Sequence, residues 1–457
     1  MNRFKSFGEL LSFWRRWLRL GIGIKRWLVI LGFGAVVAGA GIGSFLMALR
    51  DWQFFPIDLY GLLTLQFLPV GLQIILPLLA GGLIILVAVL RLGANLVAPF
   101  RRPGERISDS LYNYSQRNRG PRIVAIGGGT GMPSLLRGLR EYTSNITAVV
   151  TVADDGGSSG RLRKELGVLP PGDFRNNIAA LSRDEALMTQ LMQYRFGGGA
   201  GGNGRDANKG ELQGHAFGNL LLVALTGITG SFDEALLAAG RVLAIRGRVL
   251  PSTLANVTLA ADIEIEAGQE VQRVIGESLI PRAGGRIMQV ELVPAQVPAY
   301  PPVVQAILQA DLVVIGPGSL YTSILPNLLV ADIASALQQT KAYRVYICNL
   351  ATQPGETDNY TAADHVAVIN NHVAIEKANH YGLFDAVLAN RNLSVAPDAG
   401  GGHTIFVKPI PPPDVRMVTA DLIDEKRPWR HDSQKLAQAI IELSGPANQN
   451  TGGIYSE

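Results

Sequence analysis

Two adjacent carboxylates, Asp154 and Asp155, precede a run of residues with almost no side chain in the stretch "VADDGGSSGRLR". A carboxylate at the end of a strand in a doubly wound fold commonly accepts hydrogen bonds from a ribose, and its neighbour can do the same or hold a divalent cation such as Mg²⁺. The bare backbone that follows can donate N–H groups to phosphate oxygens. The predicted phosphate contacts are Gly156, Gly157, Ser158, Ser159 and Arg161. For Arg161 and Arg163, a solvated helix face is the alternative interpretation.

A second glycine run, "GGGTGMPS", joins an apolar segment to an amphipathic one, which is typical of a strand, a turn and a helix. Backbone N–H groups at the start of a helix bind anions. The run does not match the dinucleotide pattern G-x-G-x-x-G, because Met132 stands at the third glycine position. A tight turn without a ligand is the alternative, although three consecutive glycines give up more chain entropy than a turn requires. The predicted contacts are Gly127, Gly128, Gly129, Thr130 and Gly131.

The stretch "IGPGSLYTSILPN" has the same organisation, with glycines and hydroxyls between an apolar segment and a helix start. Its predicted contacts are Gly316, Gly318, Ser319 and Thr322. Two such turns after strands of one sheet favour a nucleotide diphosphate or a ligand of similar charge.

Three further polar stretches carry candidate side chains. "PPGDFRNN" follows a rigid turn, and its aspartate has the alternative role of a helix N-cap. "GHAFGN" places a histidine and an asparagine on one helical face, although a histidine near a helix start is often structural. "NLATQPGETDNYTAADH" is a polar strand exit. The predicted contacts are Asp173, Arg175, Asn176, Asn177, His215 and Asn219. With six histidines and one cysteine in the chain, a zinc site is not expected.

Apolar segments that alternate with helical segments must position these motifs. The predicted strands are "RIVAIG", "ITAVVTVAD", "DLVVIGPGS", "YRVYICNL" and "DAVLAN", and helices are predicted over His215–Thr226 and Phe232–Leu243. This alternation predicts an α/β fold with a doubly wound, Rossmann-like and mostly parallel sheet. In such a sheet ligands bind beyond the carboxyl ends of the strands, where the motifs lie.

The amino-terminal part of the chain has the composition of a membrane segment. Trp27–Leu49 carries no charge and is long enough to span the roughly 30 Å hydrocarbon core as a helix. A second uncharged run, Leu59–Leu90, predicts the other half of an α-helical transmembrane hairpin over residues 27–90. A signal peptide is the alternative, but the first run is too long for one. Lys and Arg flank both outer sides of the hairpin, which predicts a two-pass plasma-membrane protein with cytoplasmic termini, a cytoplasmic soluble domain and lipid contact through residues 27–90.

The remaining boundaries follow from composition. They are a basic cytoplasmic segment over 1–26, a polar linker over 91–120, a ligand-binding domain over 121–446 and a flexible tail over 447–457. The glycine-rich stretch Phe196–His215 predicts either a disordered surface loop or a mobile lid.

Charge divides the chain near the same place as hydropathy. Residues 1–119 hold 14 Lys and Arg against 5 Asp and Glu, net +9, so the overall +4 leaves −5 on residues 120–457. A domain of net negative charge lacks the basic stripe that phosphate backbones require, so no nucleic-acid partner is expected. The single cysteine, Cys348, excludes an intramolecular disulfide.

Taken together, these motifs closely resemble the gluconeogenesis factor family, the YvcK-like proteins of the CofD (2-phospho-L-lactate transferase) superfamily. The resemblance covers about Arg122 to Leu443. It implies a protein that binds a UDP-sugar, notably UDP-N-acetylglucosamine, and regulates central carbon metabolism, cell-wall synthesis and cell shape. It also implies, as partners, a homo-oligomer and enzymes of cell-wall synthesis or metabolism.

The enzyme branch of the superfamily implies an alternative function. That branch transfers a phospholactyl group from a nucleotide-linked donor to a deazaflavin acceptor with a divalent metal. The stretches "DDGGSSGRLR" and "PPGDFRNN" are typical of the regulatory branch instead. The resemblance further implies that Tyr381 stacks on a uracil and that Arg416 clamps a diphosphate. A core tyrosine and a surface arginine are the alternatives for these two residues.

Overall fold

The computed structural model describes a few isolated positions before residue 66 and then residues 67–97, 120–182, 185–197, 212–265, 270–373, 382–394 and 405–445. The chain divides into two compact units, Met1–Gln116 and Arg117–Glu457. Most of the predicted basic segment, the linker, the glycine-rich stretch and the tail lies outside the described residues.

The first unit contains a helix, α1, over Val70–Val97. Among the described residues, no single helix is both long and apolar enough to cross a bilayer, and two bent helix pairs meet the criteria of length and composition only when their members are joined. The predicted two-pass hairpin is therefore not supported, and most of its first helix, Trp27–Leu49, lies outside the described residues.

The second unit contains the remaining elements. Its strands are β1 (Ile123–Gly127), β2 (Ile146–Val150), β3 (Arg248–Pro251), β4 (Thr258–Glu264), β5 (Val271–Ile275), β6 (Arg286–Val293), β7 (Leu312–Ile315), β8 (Tyr343–Ile347), β9 (Ala386–Asn390), β10 (Arg416–Ala420), β11 (Ile423–Asp424) and β12 (Arg427–His431). Its helices are α2 (Gly131–Leu139), α3 (Gly157–Leu166), α4 (Gly172–Leu181), α5 (Glu185–Gln193), α6 (Phe217–Thr229), α7 (Phe232–Val242), α8 (Ile280–Ala283), α9 (Pro301–Gln309), α10 (Leu325–Leu328), α11 (Ala331–Gln339), α12 (Ala362–His372) and α13 (Ser433–Leu443). A π-helical turn, Leu320–Ile324, precedes α10.

A seven-stranded parallel sheet with the order β10-β9-β8-β7-β1-β2-β3 forms the centre of this unit. This confirms the predicted α/β fold with a Rossmann-like parallel sheet. Strands β1, β2 and β7 are buried at every position, as expected for parallel strands that are covered on both faces. The chain runs outward from β1 through β2 to β3 and then returns to the other side of β1 with β7. The switch point of the sheet therefore lies between β1 and β7.

A three-stranded antiparallel sheet, β5-β4-β6, is inserted between β3 and β7. The sequence patterns did not predict it. Its edge strand β6 is tied to α12 through His372. The Nε2 atom of this histidine accepts the N–H of Val290 at 3.1 Å, and its Nδ1 atom lies 2.7 Å from the carbonyl oxygen of Val368. Because a carbonyl only accepts and an N–H only donates, this imidazole is neutral with its proton on Nδ1.

Candidate functional site

The turns that follow β1 and β7 touch each other at the switch point. A Cβ added to Gly131 would lie 2.8 Å from the carbonyl oxygen of Pro317, and one added to Gly318 would lie 3.3 Å from the carbonyl oxygen of Gly128. These glycines therefore allow two backbone turns to approach more closely than side chains would permit. The structure thus brings both predicted glycine turns into one site.

The N–H group of Gly129 already has an acceptor within the protein. It donates to Oδ2 of Asp173 at 2.6 Å, and Gly129 adopts a φ of +63°, which favours glycine. Burial and the charge of Asp154 together raise the pKa of Asp173 to about 6, against the opposing effects of the Gly129 hydrogen bond and of Arg175. This aspartate consequently has a structural role in shaping the first glycine turn.

The turn after β7 is held in a similar way. The hydroxyl of Ser319 donates to the carboxylate of Glu356 and accepts the N–H of Thr322 at 3.1 Å. The N–H of Gly318 donates to Oδ1 of Asn349 at 3.1 Å. Burial raises the pKa of Glu356, and the bond from Ser319 opposes that shift. The polar exit of β8 therefore supports the second glycine turn.

Asp154 and Asp155 lie just beyond β2, next to the first turn. One carboxylate oxygen of Asp154 accepts the N–H of Gly156 at 2.9 Å, and one of Asp155 accepts the N–H of Ser278 at 2.9 Å. Burial raises the pKa of Asp154, and hydrogen bonds from Gly156 and Ser159 oppose that rise. Among the described residues, no group of three or more His, Cys, Asp or Glu is placed to hold a metal ion.

Helix α3 begins in the glycine–serine run, and its two inner glycines differ in their surroundings. Gly157 has a φ of +51° and no atom within 4 Å of an added Cβ. A Cβ added to Gly160 would lie 1.8 Å from the carbonyl oxygen of Asp155. The close packing that excludes a side chain is thus at Gly160.

Ser158, His215 and Asn219 form a buried hydrogen-bonded group. The side-chain amide of Asn219 donates to Oγ of Ser158 at 3.1 Å, and Oγ lies 3.1 Å from Nδ1 of His215. We assign the hydroxyl proton to the bond with Nδ1, which makes the imidazole a neutral acceptor. Burial and the charge of Arg161 lower the pKa of His215, in agreement with a neutral ring. The structure therefore brings three predicted site residues together.

Arg175 is a buried guanidinium at the site. In the part of the chain that the structure describes, its hydrogen bonds go to Oδ1 of Asn176 at 3.3 Å. Burial lowers its pKa, and the nearby Asp173 opposes this effect. Asn177 donates to the carbonyl oxygen of Asp173 at 2.8 Å, while its own Oδ1 has no hydrogen-bond partner.

The two arginines of α3 have different environments. Arg161 is exposed and donates to the carbonyl oxygen of Gln213 at 3.3 Å. Arg163 does not lie on a solvated face, because it is half-buried and donates to Oδ1 of Asn256 at 2.9 Å and to the carbonyl oxygen of Val257. Arg163 therefore ties α3 to the segment that leads into the antiparallel insert.

One predicted contact, Arg416, is not brought to this site. Arg416 is the first residue of β10, so it lies at the amino edge of the parallel sheet, whereas both glycine turns lie at the carboxyl edge. Tyr381 lies outside the described residues. A cavity of about 400 Å³ is also at the amino edge, between Arg122 and Arg248, and is separate from the glycine turns.

Glu277, in the loop between β5 and α8, is a site residue that no sequence motif marks. Burial and the charges of four other carboxylates together raise its pKa to about 8. These carboxylates are Asp154, Asp155, Asp173 and Glu356. The site therefore combines five carboxylates with the buried guanidinium of Arg175.

Comparisons with known proteins match the same region. The family model described as 2-phospho-L-lactate transferase CofD matches residues 123–399. The Gluconeogenesis factor of Bacillus subtilis is 51% identical over 332 residues, which cover 71% of this chain and 98% of that protein. A relative from Nostoc sp., whose name also contains the words gluconeogenesis factor, is 43% identical over 453 residues, 95% of this chain and 93% of its own. A crystal structure of a UPF0052 family member from Bacillus halodurans is 41% identical, with a TM-score of 0.62 and coverage of 70% of this chain and 99% of that chain.

Proposed function

Because this chain belongs to the gluconeogenesis factor family of the CofD superfamily, we propose that its α/β unit binds UDP-N-acetylglucosamine or a closely related UDP-sugar. In this proposal, the presence or absence of the bound UDP-sugar controls partner enzymes of central carbon metabolism and cell-wall synthesis, and through them cell shape. The observation that carries it is the contact between two glycine turns at the switch point of a parallel sheet.

The charges of the site fit a ligand that has both phosphates and hydroxyl groups. The start of α2 and the π-helical turn present backbone dipoles that favour phosphate oxygens. Arg175 adds a buried positive charge near them. Carboxylates such as Asp154 accept hydrogen bonds from hydroxyl groups and repel phosphates. The helix starts and Arg175 therefore favour the diphosphate, and the carboxylates favour the hydroxyl groups of the ligand.

A magnesium ion fits this arrangement as part of the proposal. One carboxylate oxygen of Asp154 and one of Asp155 accept backbone N–H groups, and Ser159 also hydrogen-bonds to Asp154, so a cation would bind through the remaining oxygen of Asp155 and share Asp154 with these donors. Mg²⁺ commonly binds through one or two carboxylates together with phosphate oxygens and water. In that position it would reduce the repulsion between the carboxylates and a diphosphate.

We predict that the full chain binds UDP-N-acetylglucosamine more tightly than GDP or NAD, as measured by titration calorimetry with and without magnesium. Asp154→Asn should weaken binding by about 1–3 kcal/mol, because the amide keeps one acceptor oxygen but loses the charge. Asp414→Asn is the matched control, since Asp414 is exposed and precedes the amino end of β10. Tighter binding of NAD or GDP than of any UDP-sugar would contradict the proposal.

The alternative is a metal-dependent transfer of the 2-phospho-L-lactate type, which the description of the matching family model favours. A binding protein returns its UDP-sugar intact, whereas a transferase that is given its nucleotide-linked donor and a deazaflavin releases free nucleotide. Sustained nucleotide release above that of a blank without protein would favour the transferase over the binding protein.

Contact of residues 27–90 with lipid, and self-association of the chain, are separate proposals. The uncharged composition of the segment is what supports lipid contact. The full chain should then sediment with membranes and be released by detergent, while a chain that begins at Arg117 should not. Equal behaviour of the two would contradict the proposed lipid contact.

A further inference from the structure

A short segment of the antiparallel insert reaches the carboxyl edge of the central sheet. We call this segment, Gly276–Ala283, the strap. Its Ser278 N–H donates to Asp155 at 2.9 Å, and a Cβ added to Gly276 would lie 2.7 Å from the other oxygen of the same carboxylate. The strap is therefore fixed at one point to the loop that follows β2.

The strap has a second point of contact, with the loop that follows β8. A Cβ added to Gly355 would lie 2.2 Å from the carbonyl oxygen of Pro281, so the two backbones are in direct contact. Gly355 has a φ of +77°, which also favours glycine. The loops after β2 and β8 belong to opposite sides of the switch point, so the strap extends across it.

Glu277 lies next to the first of these contacts and is half-buried. In the described part of the chain its carboxylate makes no hydrogen bond, and the charged groups that act on it are carboxylates from the loops after β2 and β8 and from the start of α4. These charges keep Glu277 mainly as the neutral acid near pH 7 in the unliganded protein, which leaves a partly buried carboxyl group without a hydrogen-bond partner, at a cost in free energy. Hydrogen-bond donors from outside the protein would remove that cost.

We propose that Glu277 contacts the bound ligand and accepts hydrogen bonds from the sugar that is attached to the diphosphate. This inference rests on the proposed function. The hydroxyl and amide groups of a sugar both donate and accept hydrogen bonds, so they can satisfy such a carboxyl group. Asp154 has the position after β2 that commonly binds a ribose, which leaves the attached sugar for the strap. Glu277 then determines whether the site distinguishes a UDP-sugar from UDP.

The experiment compares the full-length parent with Glu277→Gln and Glu277→Ala by titration calorimetry against UDP-N-acetylglucosamine and UDP, with and without magnesium. Glu277→Ala should bind the UDP-sugar at least about tenfold more weakly, because its hydrogen bonds to the sugar are lost, and Glu277→Gln, which keeps one acceptor oxygen, should lose less. Their affinity for UDP should be unchanged or higher. Glu270→Gln, an exposed position at the start of β5 on the same insert, should behave like the parent.

Three results would overturn this inference. Equal losses for UDP and the UDP-sugar would show that Glu277 does not act on the attached sugar, and unchanged affinities would show that it does not contact the ligand. A loss seen only with magnesium present would make Glu277 a cation ligand. A parent that binds neither UDP nor the UDP-sugar would instead overturn the proposed function, and this inference with it.

Discussion

Replacing Gly160 with alanine should lower the free energy of unfolding of the α/β unit by about 3 kcal/mol, at the upper end of the usual cost of overpacking. The new Cβ would lie 1.8 Å from the carbonyl oxygen of Asp155 and 2.5 Å from its carbonyl carbon. Both atoms belong to the backbone, so no side chain can rotate away. Helix α3 and the Asp155 loop must separate, which also displaces the carboxylate that holds the strap.

Gly157→Ala is the matched control within the same helix. An added Cβ there meets no atom within 4 Å, so its cost comes only from the φ of +51° and should be about 1 kcal/mol. Urea unfolding of the parent and of both variants measures the difference. If the two variants lose the same stability, the close contact at Gly160 is not what requires a glycine.

Asp173→Asn should stabilise the unliganded protein above pH 6 by about 3 kcal/mol. Burial and the charge of Asp154 raise the pKa of Asp173 from 3.8 to about 6 in the folded protein. The native state therefore holds this proton more tightly than the unfolded state, and stability falls as pH rises from about 4 through 6. Asparagine resembles the protonated acid and does not titrate, so the variant avoids this loss.

The measurement is the difference in unfolding free energy between Asp173→Asn and the parent across a pH series. The difference should be small near pH 4, increase through pH 6 and remain constant above it. Taking the difference removes the contribution of other carboxyl groups. A difference that does not change with pH would contradict the assigned protonation of Asp173.

The central strands could be predicted because their sequences carry a clear signal. Strands such as β1 and β7 are buried on both faces and read as continuous apolar runs. The edge strand β3 has only four residues and begins with an exposed arginine, so it shows no comparable run. In β5 four of the five residues are exposed, which removes the alternation that identifies a strand in an insert.

The site could be predicted only where a motif marks it. The spacing of His215 and Asn219 predicted that they share a face. Their hydrogen bonds to Ser158 could not be predicted in this way, because His215 is 57 and Asn219 is 61 positions away from it in the chain. Glu277 is brought in by the insert and has no motif of its own. Arg416 was assigned to the site from the family resemblance, and its sequence alone does not show at which end of a strand it lies.

The pairing of β1 with β7 has a consequence for synthesis of the chain. The first neighbour of β1, strand β2, is synthesised soon after it. The other neighbour, β7, comes much later: Asp311, which directly precedes β7 and pairs with Arg122, is 189 residues further along the chain. At the usual rate of translation this interval lasts about 10 to 40 s. During that time one edge of β1 has no strand beside it and is open to pairing with other chains. Chains that end before Leu312 should therefore aggregate, and chaperones that hold the nascent amino-terminal half should matter most in this interval.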